Sequence, residues 1–445
     1  MTLLTSSPGT WTKTLGSLLL ALALAGPAVA AEETVEQEID EVVVEEAPPV
    51  LPLDELRLFA EVFERIKTAY VEPVDDAQLL EDAIRGMIAG LDPHSAYLEP
   101  EAYEDLQEHT SGEFGGLGLE VGLQDGFVRV IAPIDDTPAQ KGGIKAGDLI
   151  VKLDDTPVQG LSLNEAVALM RGKPGEPIVL TIVREGVEKP FEVKLIRDVI
   201  RVASVRHRVL EDGFGYLRVS QFQVNTGKDL VEAIEDLQDK GPLRGLVLDL
   251  RNNPGGVLQA AVEVSDAFLD DGLIVYTEGR LANAALRYSA SARTAAPEVP
   301  LVVMINAGSA SASEIVAGAL QDHKRGLILG TDSFGKGSVQ TILPLTADRA
   351  VKLTTARYFT PSGRSIQAQG IVPDIRVEEA EVRNLENGDR LKESDLTGHL
   401  VNGQNNGESN GVKADDKLVE RDFQLFEALN LLKALVILKP ESKQG

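Results

Sequence analysis

Leu301-Val302-Val303-Met304-Ile305-Asn306-Ala307-Gly308-Ser309-Ala310-Ser311-Ala312-Ser313-Glu314 decides how this chain is read. The first five residues are apolar without interruption, the pattern of a strand buried on both faces of a sheet. Asn306-Ala307-Gly308 breaks the run. Three serines then fall on alternate positions, Ser309, Ser311 and Ser313, where a helix begins that carries Ile315, Val316, Ala319 and Leu320 on one face. A second strand, Leu327-Ile328-Leu329, leads into a glycine-rich loop with one lysine, Gly335-Lys336-Gly337, and Gln340 follows. A serine at a helix N-terminus and a lysine in a glycine loop are the materials of a nucleophile and its base.

A serine hydroxyl needs a group that takes its proton, and histidine is the usual one. His323 lies at the far end of the same helix, roughly 18 Å from the serines at 1.5 Å per residue, and cannot serve. The chain has no G-x-S-x-G elbow. Lysine remains, provided burial brings its pKa toward working pH. Phe334 and the two glycines around Lys336 suit that. The competing reading is a phosphate loop, since Gly330 to Lys336 fits G-x-x-x-x-G-K. That motif then requires Ser or Thr for magnesium, and Gly337 stands there instead.

A second strand-to-helix unit precedes the first. Leu246-Val247-Leu248-Asp249-Leu250 reads as a buried strand ending in Arg251-Asn252-Asn253-Pro254-Gly255-Gly256, with a helix from Val257 to Phe268. Parallel sheets present ligand sites at the C-terminal ends of their strands, so these two loops are expected to meet. An oxyanion needs two N–H donors. Ala312, just after the middle serine, supplies one; Gly255 or Gly256 supplies the other.

Between Ser111 and Ile196 the texture is that of a small β domain with one main helix. Gly115-Gly116-Leu117-Gly118-Leu119 precedes alternating Val121 and Leu123, Ala146-Gly147-Asp148-Leu149-Ile150-Val151 is a second signature, and Ser162 with Glu165 forms a capping box for the helix. A glycine loop before a strand beside a helix makes a groove that accepts a peptide as an added strand and holds its carboxylate. This stretch resembles a PDZ domain.

The ends read differently. Lys13, the apolar run Leu15 to Ala25 and Ala28-Val29-Ala30 form a secretory signal with cleavage after Ala30, too short for a membrane span. An acidic segment covers residues 31–52, and helical periodicity appears over Leu53 to Ala69 and Asp76 to Ala89, with a shorter helix from Pro100 to Glu108. Thr277 to Pro297 is polar and reads as a loop over the site. Residues 379–416 are polar and asparagine-rich, as a disordered linker would be. Leu418 to Leu438 carries Phe423, Phe426, Leu429, Leu432 and Val436, a packing or dimer face. The 43 Lys and Arg against 70 Asp and Glu leave a net charge of −27, which argues against nucleic acid. No cysteine is present, and no histidine pair has metal-ligand spacing, so no metal or other cofactor is expected.

Gly308 to Glu314, Phe334 to Gln340, the loop Arg251 to Gly256, the turn Leu91 to Ser95 and the PDZ-like stretch together resemble the carboxy-terminal processing proteases, also called tail-specific proteases. The resemblance implies an α/β multidomain protein: a crotonase-like protease core (199–378) with an inserted PDZ domain (111–198), an N-terminal helical packing or dimerisation region (53–110) and a C-terminal helix (417–445). It implies a Ser-Lys endopeptidase with Ser311 as nucleophile, Lys336 as base and Gln340 as the residue that orients the lysine. The choice of Ser311 within the serine triplet comes from the family spacing. Gly115 to Leu119 would bind an apolar or disordered substrate C-terminus, and Arg171 would couple that binding to the catalytic site. The implied setting is periplasmic, with protein substrates, a homo-oligomer and possible involvement of an adaptor. The alternatives are a non-catalytic PDZ scaffold, opposed by the intact serine, lysine and glutamine, and a cytosolic peptidase, opposed by the signal segment.

Overall fold

The computed structural model describes residues 51–281, 284–292, 294–381, 397, 399–400 and 416–438. The signal segment, the acidic run up to residue 50 and most of 379–416 lie outside the described residues. The chain divides into residues 1–74 and 75–445. In the first unit the periodic stretch forms the helix Leu53–Ala69, and none of its residues is buried.

The second unit is built on a six-stranded sheet in the order Val205–Glu211, Phe214–Val219, Gly245–Asp249, Leu301–Ile305, Leu327–Gly330, Ile375–Arg376. The first pair is antiparallel and the rest are parallel. Every residue of Gly245–Asp249 and of Leu301–Ile305 is buried. Alternate side chains explain why both faces are apolar. Leu246, Leu248, Leu301, Val303 and Ile305 join the core under the helices Thr226–Asp239, Leu258–Asp266 and Ala312–Asp322. Val247, Val302 and Met304 point the other way, onto Leu425, Ala428, Leu429 and Leu432 of the helix Phe423–Leu438. The terminal apolar stripe therefore covers this chain's own sheet. Pairing sets Leu248 opposite Val303, which aligns the ends of the two strands and brings their following loops together.

A second sheet holds the hairpin Ser338–Pro344 and Ala350–Phe359. The long strand also pairs with Ala96–Leu98 and with Leu273–Gly279. Thr277 to Pro297, read from sequence as a loop over the site, contributes instead the end of Leu273–Gly279 and the strand Arg287–Ser289, paired antiparallel with it. Polar composition hid this hairpin, because its buried positions are supplied by Ile274, Val275 and Thr277 near its start.

The third sheet runs Leu119–Gln124, Phe127–Pro133, Leu149–Leu153, Pro177–Val183, Phe191–Ile196. Its core holds Val128, Val130, Ile150, Leu180 and Ile182 together with Ala166 and Met170 of the helix Leu163–Met170. Ser162 and Glu165 close the capping box that starts this helix.

Candidate active site

The turn after Leu301–Ile305 delivers the three serines to different places. Ser309 is fully buried and its hydroxyl donates to the Leu250 carbonyl at 2.8 Å. Ser313 is fully buried and donates to the Asn253 carbonyl at 2.9 Å. Both hydroxyls tie this turn to the neighbouring glycine loop. Ser311 sits between them with its side chain on a cavity of about 400 Å³. Its backbone has φ 55° and ψ −112°, outside the regions an L-residue populates easily. Such a conformation costs on the order of 1–3 kcal/mol and persists only where surrounding structure imposes it.

That structure is the loop Arg251 to Gly256. Asn253 is fully buried; its Nδ2 donates to the Val219 carbonyl and its carbonyl accepts from Ala310 N–H at 3.0 Å. Asn252 and Asn306 exchange hydrogen bonds across the two loops. Gly255 has φ 100°, and a Cβ there would lie 2.8 Å from both the Ala310 carbonyl oxygen and Ser311 Cβ. Only glycine lets the loop approach the serine this closely. Gly255 N–H donates to Asn253 Oδ1 at 2.9 Å, so in this conformation it is already engaged. Gly256 and Ala312 line the cavity with Ser311. Among the described residues neither of their N–H groups has an acceptor.

Lys336 and Gln340 line the same cavity, with Lys352 and Tyr358. Burial holds the Lys336 ammonium below the usual lysine range, the positive charge of Lys352 adds to this, and Glu314 and Asp92 oppose it. Gln340 Nε2 donates to Ser338 Oγ at 2.8 Å and, over a longer 3.4 Å, to Thr354 Oγ1. Among the described residues no hydrogen bond joins Gln340 to Lys336. Thr354 Oγ1 donates in turn to Asp92 Oδ1 at 3.2 Å. Burial works against ionisation of Asp92, but the Ser95 hydroxyl, the His94 and Ser95 amides and Thr354 together hold its carboxyl below the usual range. The turn Leu91 to Ser95 thus supports the glutamine from behind.

Several functional neighbours escaped the sequence reading. Tyr358 is buried, which raises its phenol, while the nearby Ser311 side chain works the other way. Its hydroxyl also donates to the Lys336 carbonyl. No motif signals it, because it lies on the paired strand Ala350–Phe359. Glu314 is fully buried and accepts Ser311 N–H at 2.7 Å. Its signal was a possible capping box beginning at Ser311.

The expected peptide-binding run is split by the fold. Gly115 and Gly116 belong to the strand Glu113–Gly116, paired with Asp198–Arg201. Leu117 and Gly118 make the turn into Leu119–Gln124, an edge strand of its sheet. Gly118 has φ 77°, and a Cβ there would strike Thr137 at 2.3 Å. Arg171 Nη1 contacts Glu108 Oε2 at 2.5 Å and Asp105 Oδ1 at 3.6 Å, and its guanidinium lies over the Phe114 ring. Glu108 and Asp105 lie on the helix Pro100–Ser111, whose Leu106 and Thr110 line the same cavity as Ser311 and Lys336. Burial raises the Glu108 carboxyl against the pull of Arg171.

A model of peptidase family S41 matches residues 213–377 and a PDZ model matches 115–195. A third, described as the activating protease CtpB N-terminal domain, matches 20–102. The carboxy-terminal-processing protease of Bartonella bacilliformis is 51% identical over 387 residues, covering 85% of this chain and 88% of that protein. This chain belongs to the carboxy-terminal processing protease family. CtpA of Bacillus subtilis is 37% identical, over 71% of this chain and 67% of its own. Among solved structures, the photosystem II D1 C-terminal processing protease is 34% identical with a TM-score of 0.43, covering 73% of this chain and 93% of its own. As a carboxy-terminal processing protease the chain is a serine-type peptidase with a PDZ domain that binds peptide C-termini of protein substrates. Among the described residues no group of side chains could hold a metal ion, and no helix is long and apolar enough to cross a membrane.

Proposed function

We propose that the protein is an exported endopeptidase that hydrolyses peptide bonds with a Ser311–Lys336 dyad. The observation that carries this reading is the contrast within the serine triplet. Ser309 and Ser313 spend their hydroxyls on backbone carbonyls, while Ser311 lies in a strained turn on the cavity that holds Lys336.

In this mechanism neutral Lys336 takes the Ser311 proton as Oγ attacks the scissile carbonyl carbon. The tetrahedral oxyanion is held by Ala312 N–H, at the start of a helix, and by Gly256 N–H. Losing one such donor costs about 3 kcal/mol of transition-state stabilisation. The Lys336 ammonium returns its proton to the leaving amine. Water then hydrolyses the ester, activated by the same lysine. Gln340 orients Lys336 during this cycle, drawing its own support from Thr354.

Substrate enters by its C-terminus. The carboxylate sits at Leu117 to Leu119, and the tail adds to the edge strand Leu119–Gln124. Arg171 reports occupancy through the helix Pro100–Ser111 to the cavity. The core over 199–378 is crotonase-like, with the PDZ domain over 111–198, and the substrates are periplasmic or envelope proteins. The helical segment 53–110 is suited to contacts in a homo-oligomer, and an adaptor protein is a further expected partner.

The test combines fluorophosphonate labelling, mapped by peptide mass, with cleavage of fluorescein-labelled casein. Label on Ser311, and loss of cleavage in both Ser311→Ala and Lys336→Ala with unchanged far-UV circular dichroism, is the expected result. Label on Ser309, or full activity in Lys336→Ala, overturns the dyad.

A further inference from the structure

Glu314 is a charged side chain with no exposure, in the third position of the helix that follows Ser311. It receives donors from both halves of the site. Oε2 accepts Ser311 N–H at 2.7 Å and Lys336 N–H at 2.9 Å. Oε1 accepts Gly335 N–H at 2.7 Å and Ser333 Oγ–H at 2.5 Å. The Ser333 hydroxyl gives its proton to the carboxylate while its oxygen accepts Ile371 N–H at 2.7 Å. One carboxylate therefore joins the backbone of the serine to the backbone of the lysine loop.

We propose that Glu314 is the positioning residue that fixes Ser311 and Lys336 relative to each other. This rests on the Ser311–Lys336 reading. Both carboxylate oxygens face two donors each, a demand that only an acceptor-only group meets. A glutamine in this place must turn its NH₂ toward at least one fixed backbone N–H whichever way it is flipped, Gly335 on one side or Ser311 and Lys336 on the other. An aspartate falls one methylene short of the loop. The loop keeps another tie, Phe334 N–H to the Ser309 carbonyl, so loss of Glu314 loosens the site without releasing the whole loop. A Ser311 N–H held by Glu314 is also directed away from the oxyanion, which leaves that task to Ala312 and Gly256.

The charge has a separate consequence. Glu314 favours the Lys336 ammonium, while burial and Lys352 disfavour it, with Asp92 on the side of Glu314 and His94 and Tyr358 nearby. Removing the Glu314 charge therefore makes Lys336 easier to deprotonate. The acid limb of the pH–rate profile therefore reports the Glu314 charge beside Lys336, separately from the loss of kcat that reports positioning.

The test measures casein cleavage and fluorophosphonate labelling in Glu314→Gln, beside Ser311→Ala and Lys336→Ala. A displacement of about 1 Å between reacting groups costs on the order of 10²-fold, so kcat and labelling rate fall by about that factor. KM stays within about twofold, as expected when ground-state binding is untouched. The acid limb moves to lower pH. Glu314→Gln with kcat and labelling within about threefold of the parent, while Ser311→Ala and Lys336→Ala are inactive, overturns the proposal. Cleavage surviving in Ser311→Ala overturns the reading beneath it instead. If Glu314→Gln does not fold, Ser333→Ala removes one of the donors and leaves three. A drop in kcat of about tenfold or more with unchanged KM then supports the clamp, on the scale of a hydrogen bond to a charged group. An unchanged kcat overturns it.

Discussion

Arg251 reaches Asp422 with two hydrogen bonds, Nη1 to Oδ1 at 3.0 Å and Nη2 to Oδ2 at 2.7 Å. Arg251 opens the glycine loop that braces Ser311, and Asp422 lies between the helices Asp416–Arg421 and Phe423–Leu438. Arg251 also grips Asp249, and Gln424 completes the set. The covering of the sheet by the terminal helix is thus tied to the loop beside Ser311.

Asp422→Ala removes the partner of a largely buried guanidinium. Breaking a buried pair costs about 3–5 kcal/mol, and because Arg251 keeps Asp249 we expect about 2 kcal/mol here. The midpoint of urea unfolding falls with an unchanged slope, and kcat falls with it as the loop loosens. Burial alone would raise the Asp422 carboxyl, but Arg251 and Leu425 N–H outweigh it and hold it below the usual range. The pair therefore contributes its full stability above the unfolded carboxyl value of about 3.9. That contribution disappears as pH falls through the lower folded value. The gap between parent and Asp422→Ala should be constant from pH 5 upward and close under strongly acid conditions. A gap that widens on acidification would contradict the sign.

Lys352 gives a second pH test. It lines the cavity, and its charge lowers the Lys336 pKa. With the proposed dyad, activity rises with pH as Lys336 loses its proton. Lys352→Met removes a repulsion that favours the neutral base, so the Lys336 pKa rises and the acid limb of kcat/KM moves to higher pH, by a fraction of a unit to about one unit. A shift to lower pH, or no shift, would mean that Lys336 is not the group titrating.

The strands, helices and loops that position the site were legible because each had a local cause. Leu301 to Ile305 is apolar at every position since both faces of the strand are covered, and Gly255 marks a backbone that must approach Ser311. The hairpin within 273–289 was not legible, because its turn and second strand are polar and its first strand is fixed by pairing with the distant Ala350–Phe359. The serine triplet was ambiguous for the same reason. What separates Ser311 from Ser309 and Ser313 is where the Leu250 and Asn253 carbonyls lie, and those belong to a loop more than fifty residues earlier. Glu314 and Tyr358 depend likewise on partners distant in the chain.

Thr354 offers the finest test of that distant support. It accepts Gln340 Nε2, donates to Asp92, and its N–H donates to Ser95 Oγ at 3.1 Å, while Ser95 Oγ donates to Asp92 Oδ2 at 2.7 Å. Valine has the same shape without the hydroxyl, so Thr354→Val cuts the link between Asp92 and Gln340 and leaves the strand pairing intact. The stability cost is about 1 kcal/mol, that of a hydrogen bond lost in a partly buried network. If Gln340 orients Lys336 only when itself held, kcat falls about tenfold with KM nearly unchanged, as expected for an interaction made in the transition state. Thr354→Ser, which restores the hydroxyl, should recover most of the rate. Equal kcat in all three proteins would make the Asp92 network a brace for the strand alone, and Gln340 independent of it.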